Sequence, residues 1–337
     1  MTISTNSRTQ FSYFRDYNVL MAIELAKHVD SQYLDSWGAG MFGMSSIDMI
    51  GATWATATTK TLVIPLHLSN VLKLFPMWGN ESIEIRLKIA DPRTVYIGNA
   101  TGGADPLLQG QVTYSNVRFI YETVEIPPDS FNAFVKAKNN IYTISGKDWY
   151  STVASIPDAN TAINIQIPIN RACISKVIVA LRTTSNVTAP DKNSLCSRNR
   201  GYYTESYLIY NGTNYPLLTV KSSATSVAEM LAELAINNGN HLMNISSAFV
   251  NEGGSFATQL AAADTTDNSG YAFYEFYLGN SLENDDSTYS GLRVDNSTLA
   301  LVLAGSPGTA AGIQTCNIFV EYQSKYILEN GFWKVEY

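Results

Sequence analysis

The feature of this sequence that most constrains its fold is strict two-residue alternation between apolar and polar side chains. Residues 82–89 (SIEIRLKI) alternate polar and apolar side chains over their whole length. Residues 163–169 repeat the pattern, with isoleucines separated by Asn164, Gln166 and Pro168. Because successive side chains of a strand point to opposite faces, both runs predict half-buried β-strands. Proline cannot donate a ladder hydrogen bond, so Pro168 is expected at a strand end, a sheet edge or a bulge, next to a corner of the sheet.

Shorter, nearly continuous apolar runs predict further strands that are covered on both faces. Clusters rich in Gly, Asn and Asp separate these runs and predict turns. Many short strands between turns, with few helices, predict a sandwich or jelly roll. The apolar runs are residues 117–121, 177–181, 299–303 and 318–320, and the turn clusters are 98–103, 211–212, 251–254, 264–270 and 305–308.

Two segments follow the helical period instead of the strand period. In residues 17–30 and 225–236 apolar side chains recur every three or four positions, and the second segment ends at an Asn-Asn-Gly turn. Two interpretations of the first helix stay open. It packs against its own domain, or it is an arm that contacts a neighbouring subunit or a membrane surface.

The length of 337 residues allows two domains of ordinary size. The chain divides near residue 170 into halves that are each large enough for one eight-stranded sandwich, although no residue-level repeat relates them. We therefore expect an N-terminal arm or helix at residues 1–30, a first sandwich at 31–170 and a second sandwich at 171–337.

Charged residues make up only 15% of the chain, against about 25% in a typical protein, and the net charge is −7. A protein that neutralises phosphates needs concentrated Lys and Arg, so we expect no direct, sequence-specific binding of nucleic acid. The N-terminus has no apolar core of the kind found in signal peptides, and no apolar run approaches the length of a membrane-spanning helix.

No group of residues predicts catalysis. Glu122 and Glu125 are the best carboxylate pair for glycoside hydrolysis, but three positions apart on a strand they would point to opposite faces. The acidic turns at 264–270 and 285–286 are interpreted as solvated carboxylates, with calcium binding as the open alternative. The aromatic run at 271–277 (YAFYEFY) is interpreted as a packed or interface strand rather than a platform for stacking sugars or bases.

The cysteines and histidines match no ligand or disulfide spacing. Three cysteines lie far apart, which favours small buried or partly buried apolar side chains, and no two histidines are four residues apart. We therefore predict that the chain is not an enzyme and has no catalytic residue, cofactor or metal. The cysteines are Cys173, Cys196 and Cys316.

Four stretches combine apolar-Pro motifs, alternating strands and a Pro turn before a helix, and together they span about residues 60–330. They are KTLVIPLHLS at 60–69 with LFP at 74–76 and IEIRLKI at 83–89; YSNVRFIY at 114–121 with VEIP at 124–127; YLIYNGTNYP at 207–216 with the helix at 225–236; and FYLGNSLE at 276–283 with YSGL at 289–292, LALVL at 299–303 and IFVEY at 318–322.

In order and spacing these stretches resemble the double jelly-roll major capsid proteins of tailless icosahedral viruses and phages. The resemblance implies an all-β fold of two eight-stranded antiparallel jelly-roll sandwiches in tandem, with a few short helices. It implies a structural protein that self-assembles into pseudo-hexagonal homotrimers, the capsomers that tile an icosahedral shell. Residues 1–55 resemble nothing specific.

The resemblance also implies a location and partners. The chain would lie in the virion capsid after synthesis in the host cytoplasm. It would contact copies of itself, neighbouring capsomers, and penton and minor capsid proteins, and contact of the N-terminal helix with an internal membrane is left open. Two other functions also remain open: a carbohydrate-binding jelly-roll module or host-attachment protein, and an all-β glycoside hydrolase.

Overall fold

The chain is all-β with few helices, as the sequence predicts. The computed structural model describes residues 1–28, 66, 75–76, 81–89, 113–157, 162–184, 198–199, 203, 205–221, 273–278, 291–294, 297–305 and 313–336. The strands are β1 (Thr2–Thr5), β2 (Gln10–Tyr13), β3 (Ile83–Arg86), β4 (Ile141–Ile156), β5 (Ala162–Ile167), β6 (Ile174–Thr183), β7 (Arg198–Asn199), β8 (Glu205–Tyr210), β9 (Thr213–Lys221), β10 (Phe273–Tyr277), β11 (Leu299–Ala304), β12 (Gln314–Glu329) and β13 (Phe332–Glu336). The helices are α1 (Tyr17–His28) and α2 (Pro128–Ala137).

Eight of these strands form a sandwich of two antiparallel sheets. One sheet contains β4, β12, β6 and β10 in that order, and the other contains β5, β11, β8 and β9. When the eight strands are counted along the chain, with the short β7 left aside, the sheet orders become 1-8-3-6 and 2-7-4-5. This is the order of a jelly roll, which consists of two Greek keys.

Alternate side chains from both sheets fill the core of the sandwich, as expected for two packed sheets. The continuous apolar runs of the sequence supply the inner strands β6, β11 and β12, because these strands are covered on both faces. Their buried core residues are Val177, Val179 and Leu181 of β6, Leu299, Leu301 and Leu303 of β11, and Cys316, Ile318 and Val320 of β12.

The strands β4 and β12 extend beyond the sandwich. Each has 16 residues, and they pair over their whole length. β6 accompanies β12 only as far as Tyr322, after which β13 takes its place beside β12. The extended part packs against a small sheet of β2, β1 and β3. The buried residues of this second cluster are Ile3, Phe11, Tyr326, Leu328 and Trp333.

The first strand of the sandwich, β4, begins at Ile141, ahead of the predicted start of the second unit at residue 171. The sequence analysis placed the boundary near residue 170 because each half is then large enough for one eight-stranded sandwich. β4 nevertheless belongs to the sandwich, since it pairs with β12 at the far end of the chain. The division of residues 1–140 into an arm and a first sandwich stays a prediction.

Most of the predicted strands and one helix are confirmed. The predicted strands at 177–181, 299–303 and 318–320 lie within observed strands, and those at 82–89 and 163–169 overlap the shorter strands β3 and β5, with Pro168 directly after β5. The predicted first helix is α1. The turn at 211–212 joins β8 to β9, with φ values of 47° and 81° that suit an Asn-Gly hairpin turn. The helix at 225–236 and the turn clusters at 98–103, 251–254 and 264–270 lie outside the described residues.

The prediction of a covered strand at residues 117–121 is wrong. These residues have no regular secondary structure, and Val117 and Ile120 are each 81% exposed. The apolar pattern was the reason for the prediction, but no described strand pairs with this segment.

Gly291 permits a close approach of two backbone segments at the edge of the sandwich. Ile174 and Leu292 exchange two backbone hydrogen bonds of 2.8 and 2.9 Å, which form an isolated β-bridge. The φ of Gly291 is 138°, and a Cβ atom at this position would overlap the backbone carbonyl of Ile174. Only glycine therefore fits here.

We expect Gly291→Ala to lower the free energy of unfolding by about 3 kcal/mol, because it adds both a strained φ and a backbone overlap. The matched control is Gly212→Ala, since Gly212 also has a positive φ of 81° but has no atom within 4 Å of an added Cβ. The control should lose only about 1 kcal/mol. Urea denaturation of both variants checks the difference, and equal losses would contradict the overlap.

Candidate functional site

The N-terminal segment (residues 1–28) wraps around the edge of β4. The hydroxyl of Ser12 donates a hydrogen bond of 2.8 Å to Asp148 Oδ2, and the backbone N–H of Arg15 donates one of 2.7 Å to Ser151 Oγ. Asp148 and Ser151 are three positions apart on one strand, so they point to opposite faces. The chain therefore crosses the edge of β4 between Ser12 and Arg15, and the segment contacts both faces of this strand.

Helix α1 lies on the outer face of the sheet β4-β12-β6-β10, which is the face turned away from the sandwich core. Val19, Leu20 and Ile23 of the helix are buried. Just before the helix, Asp16 Oδ2 accepts a hydrogen bond of 2.7 Å from Asn317 Nδ2 of β12. Of the two interpretations left open by the sequence, the structure therefore has the helix packed against its own chain.

The ammonium group of Lys176 lies at the centre of this contact. Its Nζ atom is 3.7 Å from Glu24 Oε1 of α1, 3.7 Å from Glu275 Oε1 of β10 and 3.5 Å from Glu321 Oε2 of β12. All four residues are buried. One cation thus joins the helix to three strands of the sheet.

The strand register produces this arrangement. Trp149 lies opposite Glu321, Glu321 lies opposite Lys176, and Lys176 lies opposite Tyr277, so four adjacent strands contribute one row of side chains. Within the row, the Lys176 ammonium is 5.0 Å from the ring centroid of Trp149 and 5.8 Å from that of Tyr277. Both distances fall in the range of cation–π contacts.

Glu321 has two further partners on the same face. Its Oε1 atom accepts a hydrogen bond of 2.7 Å from Ser175 Oγ and lies 3.7 Å from Lys147 Nζ. Each oxygen of this buried carboxylate therefore has a cationic neighbour, which a buried charge requires.

These contacts keep the groups ionised despite their burial. Burial alone would lower the pKa of Lys176, but the carboxylates of Glu24, Glu321 and Glu275 hold it well above its ordinary value. Burial would likewise raise the pKa of Glu321, whereas the charges of Lys176 and Lys147 lower it below its ordinary value. A buried charge that loses its partner is strongly destabilising, so the cluster fixes α1 to the sheet.

Asp148 forms a second buried polar cluster on the opposite face of β4. Its Oδ2 atom accepts hydrogen bonds from the hydroxyls of Ser12 (2.8 Å), Tyr326 (2.9 Å) and Tyr322 (3.4 Å), and Oδ1 accepts one from the backbone N–H of Trp149 (2.8 Å). Burial raises the pKa of Asp148 to about 6, although these hydrogen bonds partly oppose the shift. The cluster joins β2 to both long strands.

Glu81 fixes the last strand of the chain to the N-terminal segment. Its Oε1 atom accepts hydrogen bonds from Ser7 Oγ and from Thr5 Oγ1 (3.3 Å), and Oε2 accepts one from the backbone N–H of Trp333 (2.8 Å). The hydroxyl of Thr9 donates to the carbonyl of Trp333 at 3.4 Å. Side chains thus occupy the backbone groups of Trp333 that point away from β12, which protects this edge from further strand pairing.

The three clusters suit the fixing of chain segments rather than a reaction. Each carboxylate is occupied by donors from elements that it joins. Within the described ranges, no group of three or more His, Cys, Asp or Glu side chains could hold a metal ion. No helix among the described residues has the length and apolar character needed to cross a membrane.

The residues that the sequence analysis considered for catalysis or binding form no common site among the described residues. Glu122 and Glu125 lie on the exposed segment 113–127, outside any strand. The aromatic run at 271–277 is a packed strand where it is described, since Phe273, Tyr274 and Phe276 are buried in β10. The acidic turns at 264–270 and 285–286 lie outside the described residues.

The described cysteines match the prediction of small apolar side chains. Cys316 is buried in the sandwich core and Cys173 is partly buried, and both are free thiols. Burial raises the pKa of Cys316 to about 12, so this thiol stays protonated. Cys196 lies outside the described residues.

Sequence reasoning missed the buried charges at Lys176, Glu275, Glu321 and Asp148. The first three do carry a signal, because each is a single charge inside an otherwise apolar strand (ISKVIVAL, FYEFY and IFVEY). A charge in such a run predicts a buried ion pair. The sequence could not identify the partners, since they come from distant strands whose register is set only in the folded chain.

Comparisons with known proteins give matches only among solved structures. No model of a protein family matches the chain, and no curated protein sequence matches it. The matched structures include viral major capsid proteins, the family that the sequence stretches resemble.

One match is the quasi-atomic model of the PBCV-1 virus capsid, with 13% identity over 61% of this chain and 54% of that chain, at a TM-score of 0.36. The Faustovirus major capsid protein matches with 5% identity over 59% of this chain and 36% of that chain, at a TM-score of 0.37. The mavirus major capsid protein matches with 11% identity over 58% of this chain and 41% of that chain, at a TM-score of 0.29.

The chain thus spans about half of the PBCV-1 protein's length and less than half of the other two. With TM-scores below 0.5, these overlaps alone establish no function for this chain.

We expect Lys176→Met to lower the free energy of unfolding by about 3–5 kcal/mol, because it leaves three carboxylates buried without their shared cation. Lys147→Met is the matched control, since Lys147 is more exposed and its ion pair is with Glu321, which keeps Lys176. The control should lose less than about 1 kcal/mol. Urea denaturation at pH 7 checks both values, and a Lys176 variant as stable as the control would contradict the role of this cluster.

Asp148→Asn should change the pH dependence of stability. The folded pKa of about 6 is above the ordinary 3.8, so the stability linked to this group is fully present below pH 3.8 and is lost as the pH rises through 6. Between pH 3.5 and 7 the variant should gain about 3 kcal/mol relative to the unmodified protein. Urea titrations across this range measure the gain. A constant difference between the two proteins would show that Asp148 does not titrate in this way.

Proposed function

We propose that this chain is a major capsid protein, whose copies form pseudo-hexagonal homotrimers that tile an icosahedral virion shell. The observation that carries the proposal is the jelly-roll strand order of β4 to β12, in a chain with the four stretches that resemble capsid proteins. Jelly rolls occur in viral capsid proteins, lectins and cupins, so the fold narrows the function without fixing it. The resemblance of the four stretches selects the capsid protein among these classes.

The composition supports a chain that is mostly in contact with other copies. Charged residues are only 15% of the sequence, and there are 20 tyrosines. The centres of protein interfaces are depleted in Lys, Glu and Asp and enriched in Tyr, Trp and Phe. A shell protein that contacts neighbours on several sides needs side surfaces with this composition.

The construction of the sandwich supports a rigid building block. β4 and β12 pair over 16 residues, and the N-terminal segment is fixed to both faces of β4 by hydrogen bonds, of which the one to Asp148 is buried. A chain that tiles a lattice needs a fixed shape, because small errors in contact angle add up over many copies.

The proposed tandem arrangement explains how a threefold particle fills hexagonal positions. Two rolls per chain give a trimer six similar corners, with closed cyclic symmetry and heterologous contacts between its chains. In this proposal the sandwich from Ile141 to Glu329 is the second roll, and the first roll lies before it.

Partners and location follow from the same proposal. The chain would have no enzymatic role and would contact neighbouring capsomers, penton proteins and minor capsid proteins in the virion, after synthesis in the host cytoplasm. Contact with an internal membrane through α1 would require the helix to leave the sheet, because Val19, Leu20 and Ile23 are buried there.

We expect the purified recombinant chain to form a compact trimer near three times 37.0 kDa by light scattering. Negative-stain microscopy should show pseudo-hexagonal particles in end-on views. A stable monomer that binds glycans on an array would overturn the proposal and favour the carbohydrate-binding module.

A further inference from the structure

Residues 113–127 expose an unusual amount of apolar surface. Val117, Ile120 and Val124 are each 81% exposed, more than the other apolar side chains of the segment. A folded chain rarely leaves so many neighbouring apolar side chains uncovered unless they belong to an interaction site. The other exposed apolar residues of this segment are Tyr114, Phe119, Tyr121 and Ile126.

The segment has the character of an unpaired strand. It carries no regular secondary structure, and within the described part of the chain the backbone of residues 114–126 makes no hydrogen bond. The rings of Phe119 and Tyr121 stack at 5.6 Å with an interplanar angle of 23°. Side chains two positions apart lie on the same side of an extended chain, so this stacking indicates a strand-like backbone. Exposed extended backbone is a template for pairing with another strand.

The exposed apolar area of the whole segment is comparable with that of one side of a standard interface. Aromatic side chains contribute about 200 Å² each when fully exposed, and Val or Ile about 100 Å². Scaled by the exposed fractions, the seven side chains present on the order of 600 Å². A standard interface takes about 800 Å² from each partner, of which roughly 60% is apolar. Within the segment, residues 117–123 carry on the order of 400 Å² of this area, through Val117, Phe119, Ile120 and Tyr121.

The sequence of the segment is complementary to itself in the antiparallel direction. If two copies pair about Ile120, Arg118 of each copy lies opposite Glu122 of the other, and Phe119 lies opposite Tyr121. Opposite charges and aromatic pairs directly across an antiparallel ladder are stabilising. Ile120 then faces its own copy on the symmetry axis, and Asn116, with a φ of 54°, marks the start of the paired strand.

We propose that residues 117–123 form a twofold antiparallel strand pair with the same residues of a second copy of this chain. The contact is isologous, because each copy contributes the same surface. It goes beyond the proposed homotrimer, whose internal contacts are threefold. In a shell built from threefold capsomers, a twofold contact joins two neighbouring capsomers.

Oxidative cross-linking tests the symmetry of this contact. In Ile120→Cys the two introduced thiols meet on the axis, since residues opposite each other in a ladder have Cα atoms about 4.5–5.5 Å apart, within disulfide reach. Val124→Cys is the matched control because its exposure is equal, but in this register it lies opposite Asn116 and not itself. We expect a disulfide-linked dimer for Ile120→Cys that is several-fold more abundant than for Val124→Cys or the unmodified chain.

Charge reversal provides the second test. Arg118→Glu places like charges opposite each other twice in the twofold pair, so the association of copies or of trimers through this pair should be lost in sedimentation experiments. The double variant Arg118→Glu, Glu122→Arg restores both pairs with the signs exchanged and should restore association. Equal cross-linking at positions 120 and 124, or a double variant that fails to reassociate while folding normally, would overturn the proposal.

The outcomes also separate this contact from the proposed function. If the Ile120→Cys variant forms trimers but no disulfide between copies, the capsid proposal stands and the twofold contact is removed. If the same variant forms disulfide-linked dimers but never trimers, the twofold contact stands and the capsid proposal is removed.

Discussion

The pairing of β4 with β12 is the constraint on which the rest of the described structure depends. These strands come from distant parts of the chain, and their 16-residue register sets the position of every neighbouring element. One half of the pair belongs to the sandwich, where β12 also pairs with β6. In the other half β12 pairs with β13, and this part packs against the small sheet of β1, β2 and β3. A slip of one residue would move all core side chains of these strands to the opposite face.

The contacts of the buried charges depend on the strand register and on the position of α1. Lys176 contacts Glu321 because the two residues lie directly opposite each other in the sheet. It contacts Glu24 because α1 lies on the outer face of the sheet. Buried ion pairs of this kind contribute little stability relative to apolar replacements, but they penalise any arrangement that separates the partners. The N-terminal segment is therefore fixed in one position on the sandwich, with Asp148 adding a contact on the other face of β4.

The exposed segment 113–127 differs from the rest of the described chain. Elsewhere apolar strand patterns end in a covered strand, as in β6 and β11. In residues 117–121 the same pattern ends in exposed side chains, because no described strand covers them. The apolar side chains of residues 117–121 therefore have no cover among the described residues.

The sequence by itself determined the all-β class, most of the described strands and the helix α1, because alternation and helical periodicity are local properties that short stretches encode. The tertiary structure alone decided that β4 belongs to the sandwich that begins at Ile141, and that Lys176 meets three carboxylates. It also decided that the pattern at 117–121 would not become a covered strand. Each of these depends on which distant strands lie side by side and in what register, and this follows from the packing of the whole chain rather than from any single segment.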